Sequence, residues 1–529
     1  MANVRAIIRD PKFALIILFA LAVFLRILPG ERMVDDAYIT FRYARNIVNG
    51  AGFVYNPGER VMGTTTPLYT LLMAGVSLFL RTDNFPAISI WVNALADGLT
   101  CVLLAPLGEL IGGHRRVGIA AGTLYAIAPF SVTFAIGGME TSVFVLLLTL
   151  TALLYLRRHT AWAFTSALAL LTRPDALIFL GPIALDFGLR WLLTLRATPH
   201  AFRSSLNAPL STLALFLAPL VPWLLFATLY FGSPIPHSVA AKVAAYHLGP
   251  AEGFIRLLQH YATPFFENLT FPSTPILLAF LAAYLSLSII GILFAFRRDS
   301  HSLCIMLYPV LYFATFAIAN PLIFRWYLTP PLPFYFLAIL TGLSANTNQL
   351  PAIHIPGVQS AIKNLQSKII FALPVLFFLF LTSRAWTLNP DHGPNRPAPE
   401  MAWFKLEQLY TQVGHELAPE VTPQTVIAAG DIGALGYFSG ARILDTLGLI
   451  SPQSTGYYPL PPDQLVINYA ISADLIADQK PDYVVFLEVY GRRTLLIDPR
   501  FLADYSLQKK IATDIYGSDG MLIYVRRGN

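Results

Sequence analysis

Long apolar runs separated by short polar breaks fill the first 386 residues. A membrane-crossing helix needs about 20 predominantly apolar residues. Runs near that length fall at 13–30, 85–111, 117–136, 141–156, 160–172, 176–195, 209–230, 275–296, 301–319, 327–343 and 369–386. The first follows Arg5, Arg9 and Lys12, but no small-residue cleavage site comes after it, so it reads as a membrane helix rather than a signal peptide. The run 65–80 is ambiguous, being short and closing at Arg81 and Asp83. If it lies along the outer surface, the basic loops at Arg115–Arg116, Arg157–Arg158, Arg190–Arg203, Arg297–Arg298 and Lys363–Lys368 all fall on the side of the N-terminus. That obeys the positive-inside rule, and gives about eleven spans with the C-terminus outside.

The pattern changes after Trp386. Residues 388–400 form a Pro-rich linker. Beyond it, 400–417 has helical spacing, and residues 425–429, 442–447, 482–489 and 521–527 read as strands with helical stretches between several of them. The expected fold is an α-helical polytopic membrane protein with a small C-terminal α/β domain. The boundaries are a transmembrane domain at 1–387, whose residues 31–84 form the first extracytoplasmic loop, and an extracytoplasmic domain at 388–529.

Composition agrees. Of the 529 residues, 55% are hydrophobic and only 12% charged, with a mean hydropathy of +0.59. A single soluble domain and a disordered chain are both excluded. The net charge of +6 reflects basic loops facing anionic lipid and carries no argument for nucleic acid. Cys101 and Cys304 each sit in an apolar run without metal spacing.

The loops left outside are 31–84, 137–140, 173–175, 231–274 and 320–326. They hold Asp35, Asp36, Glu140, Arg173, Asp175, His237, Lys242 and Arg325, so acids and bases from distant loops gather at one face. Asp35 and Asp36 precede a helical pattern that stops at Gly50 and Gly52. Asp36 can be a plain N-cap; if it caps, Asp35 is left free to take a proton from a hydroxyl. Arg42 and Arg45 share a helix face, which suits either solvent or a substrate. Arg60 follows a turn, and its guanidinium suits phosphate. Lys242 and Arg325 bring positive charge to the outer face, and read as a snorkelling lysine and a boundary anchor beside Trp326 and Tyr327. Glu140 suits a helix start, Arg173 and Asp175 flank Pro174 and could pair, and His237 reads equally as a surface histidine. Asn93 and Asp97, on one face of an apolar helix, are expected to bond between helices.

DDAYITFRYARN, a following G-x-G, VYNPGERV and a Thr-Pro-Leu helix start resemble the first periplasmic loop of GT-C glycosyltransferases. The nearest likeness is to the terminal arabinofuranosyltransferases of the mycobacterial cell wall and their bacterial relatives. Protein O-mannosyltransferases and the aminoarabinose transferase that modifies lipid A are similar more distantly. GGMET (137–141), LTRPDAL (171–177), FGSPIPHSVAAK (231–242) and FRWYLTP (324–330) resemble later family motifs in the same order. Met62, Tyr69 and His237–Ser238 depart from the family's Glu, Trp and Asn-Thr.

The resemblance implies a glycosyltransferase drawing on a polyprenyl-phosphate sugar and acting on a cell-envelope glycan, lipid or protein outside a bacterial cytoplasmic membrane. Asp35 would then act on the acceptor hydroxyl, with Asp36 beside it. Arg60, Lys242 and Arg325 would hold the donor phosphate, with Arg42, Glu140, Arg173, Asp175 and His237 as further substrate-site candidates. A divalent metal is an open option, since two adjacent acids alone are a thin ligand set. The competing reading is a transporter or lipid flippase; it expects mid-membrane charges and inverted repeats, whereas the charges here cluster at one face. In the C-terminal domain, GDIGALGYFSG is not a dinucleotide fingerprint, and Asp431 and Asp445 could cap or bind sugar hydroxyls. The domain is expected to roof the site or guide the acceptor.

Overall fold

The structure, a computed structural model, describes residues 11–197, 207–246, 248–265, 274–349, 359–388 and 395–528. Arg5, Arg9 and Arg203 of the basic pattern, and 389–394 of the linker, lie outside the described residues. Every apolar run expected in the membrane is helical. Length alone does not reach eleven crossings. Among the described residues, six helices are long and apolar enough to span, from Phe85–Gly112 to Gln366–Arg384, and the pair Arg115–Ile127 and Pro129–Ile136, bent by 52°, makes a seventh if it crosses as one. Thr141–Leu156 and Trp162–Thr172 are shorter; at 1.5 Å per residue they reach only about 24 and 17 Å against a ~30 Å hydrocarbon core. The ambiguous run is a 14-residue helix, Pro67–Leu80, also too short to cross upright.

The chain forms two compact units that do not follow chain order. One gathers Met1–Arg32, Ser89–Val221 and Ala251–Trp403; the other gathers Met33–Ile88, Pro222–Pro250 and Phe404–Asn529.

The first unit is helical. Its Thr274–Arg298 and Leu332–Gln349 helices touch backbone to backbone: a Cβ on Gly342 would overlap the Leu287 carbonyl, and one on Gly291 the Ala338 carbonyl. Close approach of this kind gives dispersion contact where lipid supplies no hydrophobic drive. Asn93 and Asp97 do bond between helices. The Asn93 amide donates to the carbonyls of Ala135 and Met139, and Asp97 pairs with Arg26 at 2.9 Å and accepts from Ser142 and Tyr125. Both charges of the Arg26–Asp97 pair are fully buried; Arg26 also donates to Ser131 and to the carbonyls of Ala22, Ala126 and Tyr125, so its remaining N–H groups are met. The two ends of the linker pair as a short antiparallel ladder, β1 (Trp386–Thr387) with β2 (Ala398–Pro399).

The second unit carries a five-stranded mixed sheet in the order β4-β3-β5-β7-β6. Strands β3 (Val426–Ala429), β4 (Arg442–Asp445) and β5 (Tyr483–Leu487) run parallel; β7 (Met521–Arg526) joins β5 antiparallel, and β6 (Tyr505–Ile511) closes the far edge. Four strands match the sequence reading. β6 was not foreseen: six of its seven residues are only partly buried or exposed along YSLQKKI, as an edge strand can be.

The segment 33–88 is built into this sheet. Asn56 behaves like an extra strand residue at the β4 edge: its amide donates to the Ile443 carbonyl at 2.9 Å and its oxygen accepts from the Ile443 N–H at 3.0 Å. Glu59 pairs with Arg442 beside it. The Asp35–Val48 helix is amphipathic, buries Ala37 to Ala44, and stops at Asn49 ahead of Gly50, whose φ is +78°.

Candidate active site

Asp35 and Asp36 open the helix but neither caps it. The N-cap is Val34, without a side-chain bond, so the argument that capping by Asp36 frees Asp35 does not hold. Asp35 is instead gripped from the C-terminal segment. Its Oδ2 accepts the Gly433 N–H and its Oδ1 the Ala434 N–H, both at 2.8 Å. A side chain cannot replace the hydrogen at Gly433, because a Cβ there would overlap the Asp35 carbonyl. Asp36 is half-buried, and its carboxylate makes no hydrogen bond among the described residues.

Two further acids join them. Asp431 stands two residues before Gly433, and its Oδ2 accepts the Tyr410 hydroxyl at 3.0 Å. Glu407, one helical turn before Tyr410, has a buried Oε2 without a hydrogen-bond partner. Burial holds the Asp35 carboxyl well above the usual range; repulsion from Asp431 and Asp36 adds to it, against the two amides. Burial likewise lifts Asp431 to about 6 and Glu407 to about 7. Tyr246, just past the His237–Ala245 helix, feels Asp431 and Asp36 as well. None of these partners announced itself in the sequence. Asp431 was noted only as a cap or sugar ligand, and Glu407 and Tyr410 look like ordinary members of an amphipathic helix. Asp445 is a local cap, accepting from the Leu447 and Ile450 amides.

Arg42 is a buried post rather than an exposed basic face. It donates to the carbonyls of Tyr55, Gly436 and Ala441 and to Asn56, and lies over the Tyr55 ring. Its neighbour on that face, Arg45, stacks on Tyr437. Arg60 is exposed and stacks on Tyr230 with 4.7 Å to the ring centroid. Lys242 lies half-buried in the His237–Ala245 helix, which begins where the His237 N–H meets the Met62 carbonyl at 2.9 Å. The Nε2 of His237 is buried and unpartnered. These residues share the second unit with the carboxylates.

Glu140, Arg173, Asp175 and Arg325 belong to the first unit. Arg173 bridges Glu140 at 2.9 Å and holds Asp175 through two N–H groups at 2.9 and 3.1 Å. The expected Arg173–Asp175 pairing is therefore present, with Glu140 as an unforeseen third member. Tyr312 donates to Asp175, and the guanidinium lies over Tyr327. Arg325 is half-buried, with Nη1 3.5 Å from the Met401 carbonyl and its guanidinium beside Trp403. Among the described residues no three His, Cys, Asp or Glu side chains are grouped to hold a metal ion.

Comparison with known proteins adds three findings. Residues 400–524 match a domain of unknown function (DUF8728). A stretch of 229 residues is 30% identical to a terminal β-(1→2)-arabinofuranosyltransferase of Mycobacterium tuberculosis, covering 40% of this chain and 35% of the relative. The chain thus spans about a third of that relative's length. Among solved structures, ArnT from Cupriavidus metallidurans bound to undecaprenyl phosphate superposes with a TM-score of 0.51 at 12% identity over 98% of each chain. ArnT in the apo state gives 0.53 at 12% identity over 96% of this chain and 97% of its own. The protein is a multi-pass membrane protein with the GT-C fold of ArnT.

Proposed function

We propose that the protein is a glycosyltransferase that moves a sugar from a polyprenyl-phosphate carrier to a hydroxyl of a cell-envelope glycan, lipid or protein. The reaction would take place on the outer face of a bacterial cytoplasmic membrane. The observation that carries the reading is the Asp35 carboxylate, fixed by two amides and made more basic than an ordinary aspartate, with the unpaired Asp36 beside it. The ArnT-like fold and the arabinofuranosyltransferase likeness support the donor class.

In this reaction the acceptor oxygen attacks the anomeric carbon. The bond from that carbon to the phosphate oxygen breaks, the carrier phosphate keeps the electron pair, and the hydroxyl proton passes to Asp35. Each Asp35 oxygen spends one lone pair on an amide and keeps another for the proton. A basicity raised above that of an ordinary aspartate is what such a group needs. Asp36 and His237 are free to accept from or orient sugar hydroxyls. Arg60 and Lys242, which share the unit of Asp35, are the cations for the leaving phosphate, where fixed positive charge lowers the barrier most. Glu140, Arg173 and Asp175 form an ion triad that fixes its helix ends, and Arg42 holds the Asp35 helix in place. Residues 1–387 would be the membrane part, with 31–84 and 388–529 outside.

The test is transfer from a panel of radiolabelled polyprenyl-phosphate sugars by the full chain in nanodiscs, with and without chelator. Turnover of at least one donor is expected, with the acid limb of its pH profile above the ordinary aspartate value of about 4. Binding of no polyprenyl phosphate at all would remove the reading.

A further inference from the structure

The proposed chemistry leaves the GDIGALGYFSG turn unexplained. This turn sits nearly 400 residues from the first-loop acids in sequence and grips one of them. Three observations on it are independent of one another. The Gly433 and Ala434 amides each hold one Asp35 oxygen. Gly433 leaves no room for a side chain against the Asp35 backbone. Asp431, on the same turn, is itself fixed by the Tyr410 hydroxyl from the Lys405–Leu417 helix.

We propose that Asp431 is a positioning residue for glycosyl transfer: anchored by Tyr410, it sets the turn whose next amides aim the Asp35 carboxylate, and it places a negative charge beside that base. The inference rests on the glycosyltransferase reading and deepens it, because it makes the C-terminal domain part of the catalytic centre rather than a roof over it. Among the described residues, the groups that face Asp431 are Asp35 and Asp36 from the first-loop helix, Tyr410 and Glu407 from the Lys405–Leu417 helix, Tyr246 beyond the His237–Ala245 helix, and Tyr490 after β5. None of the six is a cation, so any negative charge on Asp431 acts on Asp35 unneutralised by them. An ionised Asp431 makes Asp35 the stronger base; a neutral residue there makes it a weaker one that ionises at lower pH.

The experiment compares the wild-type chain, Asp431→Asn and Tyr410→Phe in nanodiscs, on the donor that the wild type turns over. Asp431→Asn is expected to lower kcat by roughly ten- to a hundredfold with little change in KM for the donor, and to move the acid limb of kcat to lower pH by about one unit. Tyr410→Phe removes the hydrogen bond that favours ionised Asp431. Asp431 then stays protonated to higher pH, so the limb moves in the same direction by less, and Asp431→Glu is expected to restore part of the rate. Melting curves on the same samples separate misfolding from these effects. If both variants fold and turn over donor with the wild-type pH profile, the inference is overturned. A rate loss with an unmoved limb and no rescue by Asp431→Glu also overturns it, leaving a merely structural residue. If the wild type itself turns over no donor, the glycosyltransferase reading fails first.

Discussion

At the scale of the residue, the chemistry concentrates on a few charged groups whose partners decide what they do. The adjacent pair Asp35–Asp36 stood out in the sequence because two acids in a row exceed what a helix start needs. Its second half did not, because the Gly433 and Ala434 amides lie 398 and 399 residues away and backbone N–H groups carry no sequence signature. Arg42 shows the reverse: its helix face left solvent and substrate both open in the sequence, and four acceptors surround it instead. Arg173 makes a sharp prediction. Arg173→Ala would strand the Glu140 and Asp175 carboxylates, and the protein should lose roughly 3–5 kcal/mol of stability, read as a lowered melting temperature in detergent. Asp431 gives a second, with a definite sign. Its folded value of about 6 exceeds the unfolded one near 4, so its burial penalty is absent below pH 4, grows as pH rises, and is constant above about 6. The stability difference between Asp431→Asn and the wild type should therefore shift in the variant's favour between pH 4 and 7. A difference independent of pH would contradict this.

At the scale of the element, the long apolar runs were legible as helices, because lipid forces the backbone to satisfy itself within the segment. The number of crossings was less legible, because helices such as Trp162–Thr172 are largely apolar yet too short to span. Strand β6 was lost because an exposed edge need not carry the alternation that marks a half-buried strand. The junction between the first loop and the sheet turns on Asn56, whose turn context Asn-Pro-Gly was visible but whose pairing with β4 was not. Asn56→Ala leaves the Ile443 N–H and carbonyl unpaired in a buried place. The expected cost is about 1–3 kcal/mol, with thermal unfolding as the measure. Gly433→Ala is expected to cost about 1–3 kcal/mol by overpacking and to impair turnover. Gly456→Ala, where a Cβ meets nothing within 4 Å, should do neither.

At the scale of the whole molecule, compactness does not follow chain order. The segments 33–88, 222–250 and 404–529 fold together, and so do the three that alternate with them. A reading along the chain naturally cut once, at the Pro-rich linker, since composition changes there and nothing local marks the return of distant loops to the C-terminal sheet. The orientation argued from basic loops is testable on intact cells. A cysteine at exposed Asp519 should react with an impermeant maleimide, and one at exposed Arg297 should not. The native Cys101 and Cys304 are both buried and give a low background.

The most direct test of the central claim is single-turnover transfer from a radiolabelled polyprenyl-phosphate sugar in nanodiscs, wild type against Asp35→Asn. The account predicts that the wild type transfers label to an acceptor hydroxyl, and that the folded variant binds the donor but transfers at least a hundredfold more slowly, as loss of a general base should cause, roughly. Transfer by Asp35→Asn at the wild-type rate would contradict it.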